Sequence, residues 1–566
     1  MIGRALLVLA VVIVSALTYP GALITSLTAR MAALPDTSGG PAGVLPWLHV
    51  AHPSGGRPYI ADDQNRVVLL HGVIPASLVE YGITAAQYPI DPTAYAGGRC
   101  PAPITGNPYP PLCEVDLQAM AKLGFNSVRL PISWSVLEPE RGTFNTTYVD
   151  RIAQVVGWAR TLGMYVIVDM HQNAYSHYMP PGIDVKPRYL SGAPRWATFT
   201  DGFPSRVYHS QRELNAAVFE ATTNFWYDRA GIQDEYIRAL AFVAKRFVDD
   251  SAVAGYGIYN EPWPGWNLPP GFEDLLLFPF YRRVIDALTG LHDGAPCWTG
   301  FFMPAVCGYP DLNVHDRRHL MFLDTGLVRE VTDFPTHLGL PVSSYPNLVL
   351  ALHAYTHIYT IDKLIGQKPA NAGYPWGGYD QSYAAAQQEA RAMRAALFVA
   401  EFGNDPGDED ALLLPSQLAE QERHYVGFAF WTWKENDSGG WGMFDPNADC
   451  MRHVRASLLA RVYPRLTADT AADFAYDAAT GAFTMHASGR AGQAATEVYI
   501  PPSVTGEVTG AGGVRITVTA QPDGSRLAIG VPTGGGFTVA VSAAPLSPQP
   551  CPIQAGRLMD IGPGSG

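Results

Sequence analysis

Between Arg66 and Arg461, short runs of consecutive apolar residues alternate with longer stretches in which apolar side chains recur every three or four positions. The runs at 67–72, 126–131, 165–170, 253–260, 319–323, 348–353, 396–401 and 427–433 are apolar at most positions, the pattern of parallel strands buried on both faces. The stretches at 114–123, 148–162, 233–248, 272–291, 381–393 and 415–424 carry the stripe of helices that cover such a sheet. Eight strands with helices between them predict an α/β fold, a closed (β/α)8 TIM barrel. The region between the fourth and sixth strands is the least regular.

Past Leu466 the pattern changes to short alternating runs at 495–500, 514–519, 527–531 and 537–541, separated by Gly, Pro and Asp. They predict a C-terminal antiparallel β-sandwich. No cluster of chemically able residues falls there and aromatics are sparse, so its expected role is packing on the barrel. At the other end, Arg4 precedes an apolar run from Ala5 to Leu17 that continues to Leu27, broken by Pro20 and Gly21, and 35–43 resembles a linker. The expected organisation is a signal peptide or membrane anchor plus linker over 1–44, the barrel over 45–462, and the β-sandwich with a tail over 463–566. Such a leader implies a secreted or membrane-anchored, extracytoplasmic protein.

Composition narrows the partners. With 47% hydrophobic and 16% charged residues the 566-residue chain is globular, and a formal net charge of −13 argues against nucleic acid. In an exported chain the six cysteines favour disulfides. Cys100 with Cys113 and Cys297 with Cys307 are close enough to close short loops, leaving Cys450 and Cys551, although sequence does not fix the connectivity. No CxxC or Cys/His cluster has metal spacing, so no zinc site is expected.

Two strand ends run directly into a glutamate: Gly257-Ile258-Tyr259-Asn260-Glu261-Pro262 and Leu397-Phe398-Val399-Ala400-Glu401-Phe402-Gly403. Cleaving a glycosidic bond requires one carboxyl that donates a proton to the leaving oxygen and a second that stays ionised, about 5 to 5.5 Å apart in retaining enzymes. Glu261, closing an apolar strand, suits the acid, and burial there is expected to raise its pKa. Glu401 suits the nucleophile, with Arg129 a candidate cation to keep it charged. A salt bridge to a loop explains either glutamate alone equally well; the pair is harder to explain that way.

The chain resembles glycoside hydrolase family 5 over nearly the whole barrel. The resemblance rests on Asn126-Ser127-Val128-Arg129-Leu130-Pro131-Ile132-Ser133-Trp134 with Glu138-Pro139-Glu140-Arg141-Gly142 following, on Asp169-Met170-His171-Gln172-Asn173, on Asn260-Glu261-Pro262, and on His353 with Tyr355. It implies an active-site arginine at Arg129 and substrate-binding roles for His171 and Asn173. It further implies that Asn260 bonds the sugar 2-hydroxyl, that Glu261 is the acid/base, and that Tyr355, beside His353, orients the nucleophile Glu401. Trp431, or else Trp433, would be the platform for the sugar. No cofactor or metal is implied.

Within the family, Gly192-Ala193-Pro194-Arg195-Trp196-Ala197 and Thr200-Asp201-Gly202 look most like the endoglycoceramidases, which cleave between glycan and ceramide. Asn173 departs from the Asp common in that group, and no lysine occurs between Gly72 and Tyr81. The segment after Glu261 is apolar, with Trp263 and Trp266 expected on the aglycone side, and Tyr175, Tyr178, Met179, Pro180 and Pro181 form a second apolar set. For Leu275 to Phe280 the inner face of a barrel helix is the favoured reading. The expectation is a retaining β-glycosidase acting as a monomer on a glycolipid at a membrane or micelle surface. Alternatives are a glucosylceramidase or β-glucosidase, an endoglucanase or mannanase, or an inactive lectin on the same barrel.

Overall fold

The computed structural model of the chain describes residues 45–79, 88–102, 104, 109–179, 191–205, 214–267, 271–292, 309–332, 342–355, 379–435, 441–444 and 451–546. Eight strands form a closed barrel in which every neighbouring pair is parallel: β1 (His71–Ile74), β2 (Ser127–Ile132), β3 (Tyr165–Met170), β4 (Val253–Gly257), β5 (Leu320–Asp324), β6 (Leu348–His353), β7 (Ala396–Phe402) and β8 (Phe428–Trp431). Every residue of β1 to β7 is buried, as apolar runs without alternation require. Two expectations need correction. The run at 67–72 serves two sheets, because Val67–Val68 pairs antiparallel with the C-terminal sheet while β1 starts at His71. The fourth strand ends at Gly257, so Ile258 to Glu261 already lie beyond it.

The outer layer contains α1 (Glu114–Lys122), α2 (Thr146–Thr161), α3 (Ala216–Trp226), α4 (Ile232–Phe247), α5 (Phe278–Thr289), α6 (Leu327–Thr332), α7 (Tyr379–Met393) and α8 (Asp408–His424). Asn145 and Asn215 cap α2 and α3 by accepting from Tyr148 N at 3.1 Å and Ala217 N at 3.0 Å. A wide turn, Glu273–Leu277, leads into α5, and there Leu276, Leu277, Phe278 and Phe280 are buried while Leu275 is exposed. The expected helix at 415–424 begins earlier, at Asp408, with Pro415 inside it, because Leu413 and Leu414 are core residues.

The C-terminal antiparallel domain is one nine-stranded sheet with the path His49–Ala51, Tyr59–Ala61, Val67–Val68, Tyr463–Thr467, Thr496–Ile500, Arg526–Val541, Phe483–Gly489, Asp473–Tyr476, and Val508–Ala520 paired alongside Arg526–Val541. Segments from both ends of the described chain therefore share one sheet. The two domains meet where the His71 ring lies between Phe428 and Tyr463, at centroid distances of 4.3 and 3.8 Å, and where Tyr463 OH donates to Gly124 O at 2.8 Å.

Cys100 and Cys113 form a disulfide that ties the turn at Pro92–Gly98 to the start of α1. The other four cysteines and the N-terminal 1–44 lie outside the described residues, as do Pro180 and Pro181. Among the described residues no helix is long and apolar enough to cross a membrane.

Candidate active site

Arg129 on β2 organises the C-terminal end of the barrel. Its side chain is buried; Nη1 donates to Glu401 Oε2 at 2.7 Å, and Nη2 donates to Asp169 Oδ1 at 3.0 Å and Asn260 Oδ1 at 2.8 Å. Asp324 Oδ2 lies 3.6 Å away. A planar fork satisfying three acceptors at once is a geometry that lysine lacks. Burial alone would lower the pKa of the guanidinium, but Asp169, Asp324, Glu401 and Glu261 around it raise it and keep it charged. Burial likewise pushes the Asp169 carboxyl up, and Arg129 and His171 outweigh it and hold the carboxyl below its ordinary value. Gly257 makes room for this hub, since a Cβ there would stand 2.2 Å from Asp169 Oδ1.

From β3, His171 shares a hydrogen bond between Nδ1 and Asp169 Oδ2 at 3.0 Å, and Asn173 Nδ2 lies 3.4 Å from His171 Nε2. Asn260 is fully buried: its Nδ2 donates to Gln172 O at 2.9 Å, and its carbonyl accepts from Gln172 Nε2 at 2.6 Å.

The two glutamates meet in this network. Glu401 on β7 accepts from Tyr355 OH through Oε1 at 2.7 Å and from Arg129 through Oε2. Across the β6–β7 ladder the register partner of Glu401 is His353, and His353 Nδ1 lies 3.0 Å from Glu261 Oε1. Glu261 is in a left-handed backbone conformation, φ 42°, with its N–H donating to Asp324 Oδ2 at 3.1 Å. For a non-glycine residue that conformation costs about 1 to 2 kcal/mol. The Glu261 side chain is 15% exposed while that of His353 is fully buried, so Glu261 is the member of this pair that a substrate can reach. The expected upward pKa shift of Glu261 is not what the surroundings produce. Burial pushes it up, but the hydrogen bond and charge of His353, with His171 and Arg129 behind, outweigh burial and hold the carboxyl below its ordinary value. His353 is pushed down by burial and further up by Glu330, Asp324 and Glu401, for a net rise well above its ordinary value.

Of the two tryptophans in the eighth-strand segment, Trp431 is half-buried, its ring parallel to His171 at 5.6 Å and 8°. Trp433 is fully buried and donates to Asp116 Oδ1 at 2.9 Å, which makes it a core residue. Among the described residues the His/Glu group with donor atoms within 4.8 Å of one another is Glu261, Glu330 and His353, and the hydrogen bond between His353 and Glu261 accounts for their closeness without a cation.

A family model for cellulase, glycosyl hydrolase family 5, matches residues 87–287, a span that contains Arg129, His171 and Glu261. Over that span the chain is similar to glycoside hydrolase family 5. It is 27% identical over 444 residues to endoglycoceramidase I of Rhodococcus hoagii (strain 103S), covering 74% of this chain and 80% of that one. The crystal structure of an endogalactoceramidase superposes with a TM-score of 0.65 at 26% identity, covering 88% of this chain and 100% of that chain. The ganglioside GM3 complex of endo-glycoceramidase II from Rhodococcus sp. shares the fold, with a TM-score of 0.66 at 23% identity, covering 86% of this chain and 100% of that chain.

In this hydrolase the segment after Glu261 lies on α3. Trp226 Nε1 donates to Trp263 O at 2.7 Å, Trp266 N and Nε1 donate to Thr223 Oγ1 and Glu220 Oε2, and Phe219 stacks on Trp266 at 4.9 Å. Trp263 is half-buried; Trp266 is 44% exposed, with the 41% exposed Phe203 at 5.8 Å. Tyr175 and Met179 of the second apolar set are buried in the core and Tyr178 is half-buried, so that set does not offer the surface expected of it. Sequence reasoning missed Gln172, Asp324 and Glu330. Asp324 was findable as the acid one residue past an apolar run; Glu330, on the short α6, carries no signal.

Proposed function

We propose that this hydrolase is a retaining endoglycoceramidase that cuts the linkage between glycan and ceramide in glycosphingolipids. The observation that carries the reading is the linkage of Glu401 and Glu261 through one residue, His353, which is the register partner of the first and the hydrogen-bond partner of the second. Glu401, fixed by Tyr355 on one oxygen and Arg129 on the other, attacks the anomeric carbon while Glu261 protonates the leaving ceramide oxygen. Glu261 then takes a proton from water, which releases the glycan from the glycosyl ester. Asn260 uses one lone pair on Arg129 and one N–H on Gln172, and its remaining capacity serves the sugar 2-hydroxyl. Trp431 is the sugar platform, and His171 and Asn173 line the same side.

Support for a lipid leaving group comes from the endoglycoceramidase relatives and from Trp263 and Trp266 in the segment after Glu261, with Phe203 beside Trp266, since each large apolar side chain removed from water contributes about 1.5 to 3 kcal/mol. The disulfide fits an exported protein, and we take it to work as a monomer at a membrane or micelle surface.

Incubation with a mixed glycosphingolipid panel, read by mass spectrometry, is expected to release intact oligosaccharides plus ceramide. Monosaccharide release would instead indicate a glucosylceramidase or β-glucosidase, and shortened cellulose or mannan a polysaccharide hydrolase. Glu401→Gln is expected to fold and lose turnover; substantial residual activity removes it as the nucleophile.

A further inference from the structure

Glu330 on α6 is fully buried, and neither of its carboxyl oxygens has a hydrogen-bond partner. Its Oε2 lies 3.8 Å from His353 Nδ1, the nitrogen that contacts Glu261 Oε1 at 3.0 Å. A carboxyl without donors in a buried site loses the solvation that would stabilise its charge. A buried glutamic acid with no structural bond, aimed at the imidazole behind the acid/base, calls for a role that ordinary packing does not supply.

We propose that Glu330 is a positioning residue for Glu261, a second proton site that acts through the His353 imidazole. The inference rests on the reading of Glu261 as the acid/base. The groups facing Glu330 are His353 from β6, Asp324 from β5, Glu261 from the loop after β4, Tyr281 from α5, and its neighbour Arg329, which itself contacts Glu389 at 2.6 Å. Burial is the main cause that holds Glu330 well above the ordinary glutamate range, with Asp324 and Glu261 adding to the rise and His353 and Arg329 opposing it. When Glu330 ionises, its proton goes to solvent. The negative charge left beside His353 then holds the remaining proton on the Glu261–His353 pair, where glycosylation needs it. The enzyme thereby stays competent to a higher pH than an isolated Glu261–His353 pair would allow.

The test is the pH dependence of kcat/KM on an aryl β-lactoside and on a glycosphingolipid. Glu330→Gln keeps the shape and removes the titrating group, and the basic limb is expected to move down by about one pH unit. Glu330→Asp keeps a carboxyl but withdraws it from His353, and an intermediate shift is expected even if Glu330→Gln folds poorly. A purely structural Glu330 would lower thermal stability and leave the limb where it is. If the limb of either folded variant overlays the wild type or moves up while Glu261→Gln loses glycosphingolipid turnover, the inference falls alone. Wild-type turnover by Glu261→Gln removes the acid/base reading itself, and the inference with it.

Discussion

Replacing Arg129 by Met removes the cation shared by Glu401, Asp169 and Asn260 and leaves the Glu401 and Asp169 carboxylates buried without it. Breaking a buried ion pair from one side costs about 3 to 5 kcal/mol, so Arg129→Met is expected to destabilise the barrel by that amount. Glu401→Gln in the wild-type background is expected to destabilise by about 1 kcal/mol, because the amide oxygen still accepts from Arg129, which keeps Asp169 as its counter-charge, while the amide NH2 faces the Tyr355 hydroxyl, which turns to accept from it. In the Arg129→Met background the same change removes an uncompensated buried charge, and is expected to restore about 1.5 to 3 kcal/mol, the size of a charge-assisted hydrogen bond. The sign of the Glu401→Gln effect thus depends on residue 129. Equilibrium urea unfolding of the four proteins, followed by tryptophan fluorescence, closes a double-mutant cycle without needing activity. A coupling energy below about 0.5 kcal/mol would refute the direct pairing of Arg129 with Glu401.

Three further outcomes are expected. Trp431→Ala should lower kcat/KM about tenfold with little loss of stability, in keeping with a stacking contact of about 0.5 to 1.5 kcal/mol, whereas Trp433→Ala should destabilise by about 3 to 5 kcal/mol; thermal melts and initial rates separate the two. Gly257→Ala should displace Asp169 and with it Arg129, so a crystal structure should show both moved and an assay should show activity lost. Burial and the neighbouring Arg461 and Arg465 hold His71 well below its ordinary pKa of 6.5, so the unfolded chain binds the proton that the native protein refuses. Stability is therefore present above pH 6.5 and falls as pH drops through the acid range below it, by at most about 1.4 kcal/mol per pH unit; urea unfolding of His71→Phe should show a flatter acid slope than wild type.

How much of this was legible follows from what each signal encodes. Strands β3 and β6 stand where the apolar runs place them, because a parallel strand buried on both faces declares itself by composition alone. The run beginning at Val67 was misread for the same reason: apolar character shows burial but not which sheet receives the segment, and the chain crosses from one to the other at Leu69 and Leu70. Helix α3 went unseen because Ala217, Val218, Ala221, Thr222, Asn224, Phe225 and Trp226 are buried around most of its circumference, which erases the amphipathic stripe. The glycines from Gly534 to Gly536 read as a turn, yet the chain runs on as the single strand Arg526–Val541, with Gly534 and Gly535 at positive φ.

The site divides along a similar line. His171, His353 and Glu401 at strand ends and Arg129 inside β2 are visible because a polar side chain closing or interrupting an apolar run has no packing reason to be there. The protonation of the site is not visible, because it depends on groups brought in from the sides. Asp169, Glu261, Asp324, Glu330 and Glu401 crowd around one guanidinium and two imidazoles at the mouth of the barrel. Among the described residues Arg129 is the guanidinium bonded to this cluster, and Arg329 beside Glu330 is paired with Glu389, so the cluster cannot ionise completely in so dry a place and some of its carboxyls must keep protons. The carboxyl with no hydrogen-bond donor, Glu330, is the one that does so at least cost, leaving Arg129 and Tyr355 to hold Glu401 and leaving His353 beside Glu261. The downward shift of Glu261, the reverse of what its burial suggested, follows from that division of protons: an acid seated against an imidazole exchanges its proton with a neighbour and does not merely hold it against a low dielectric.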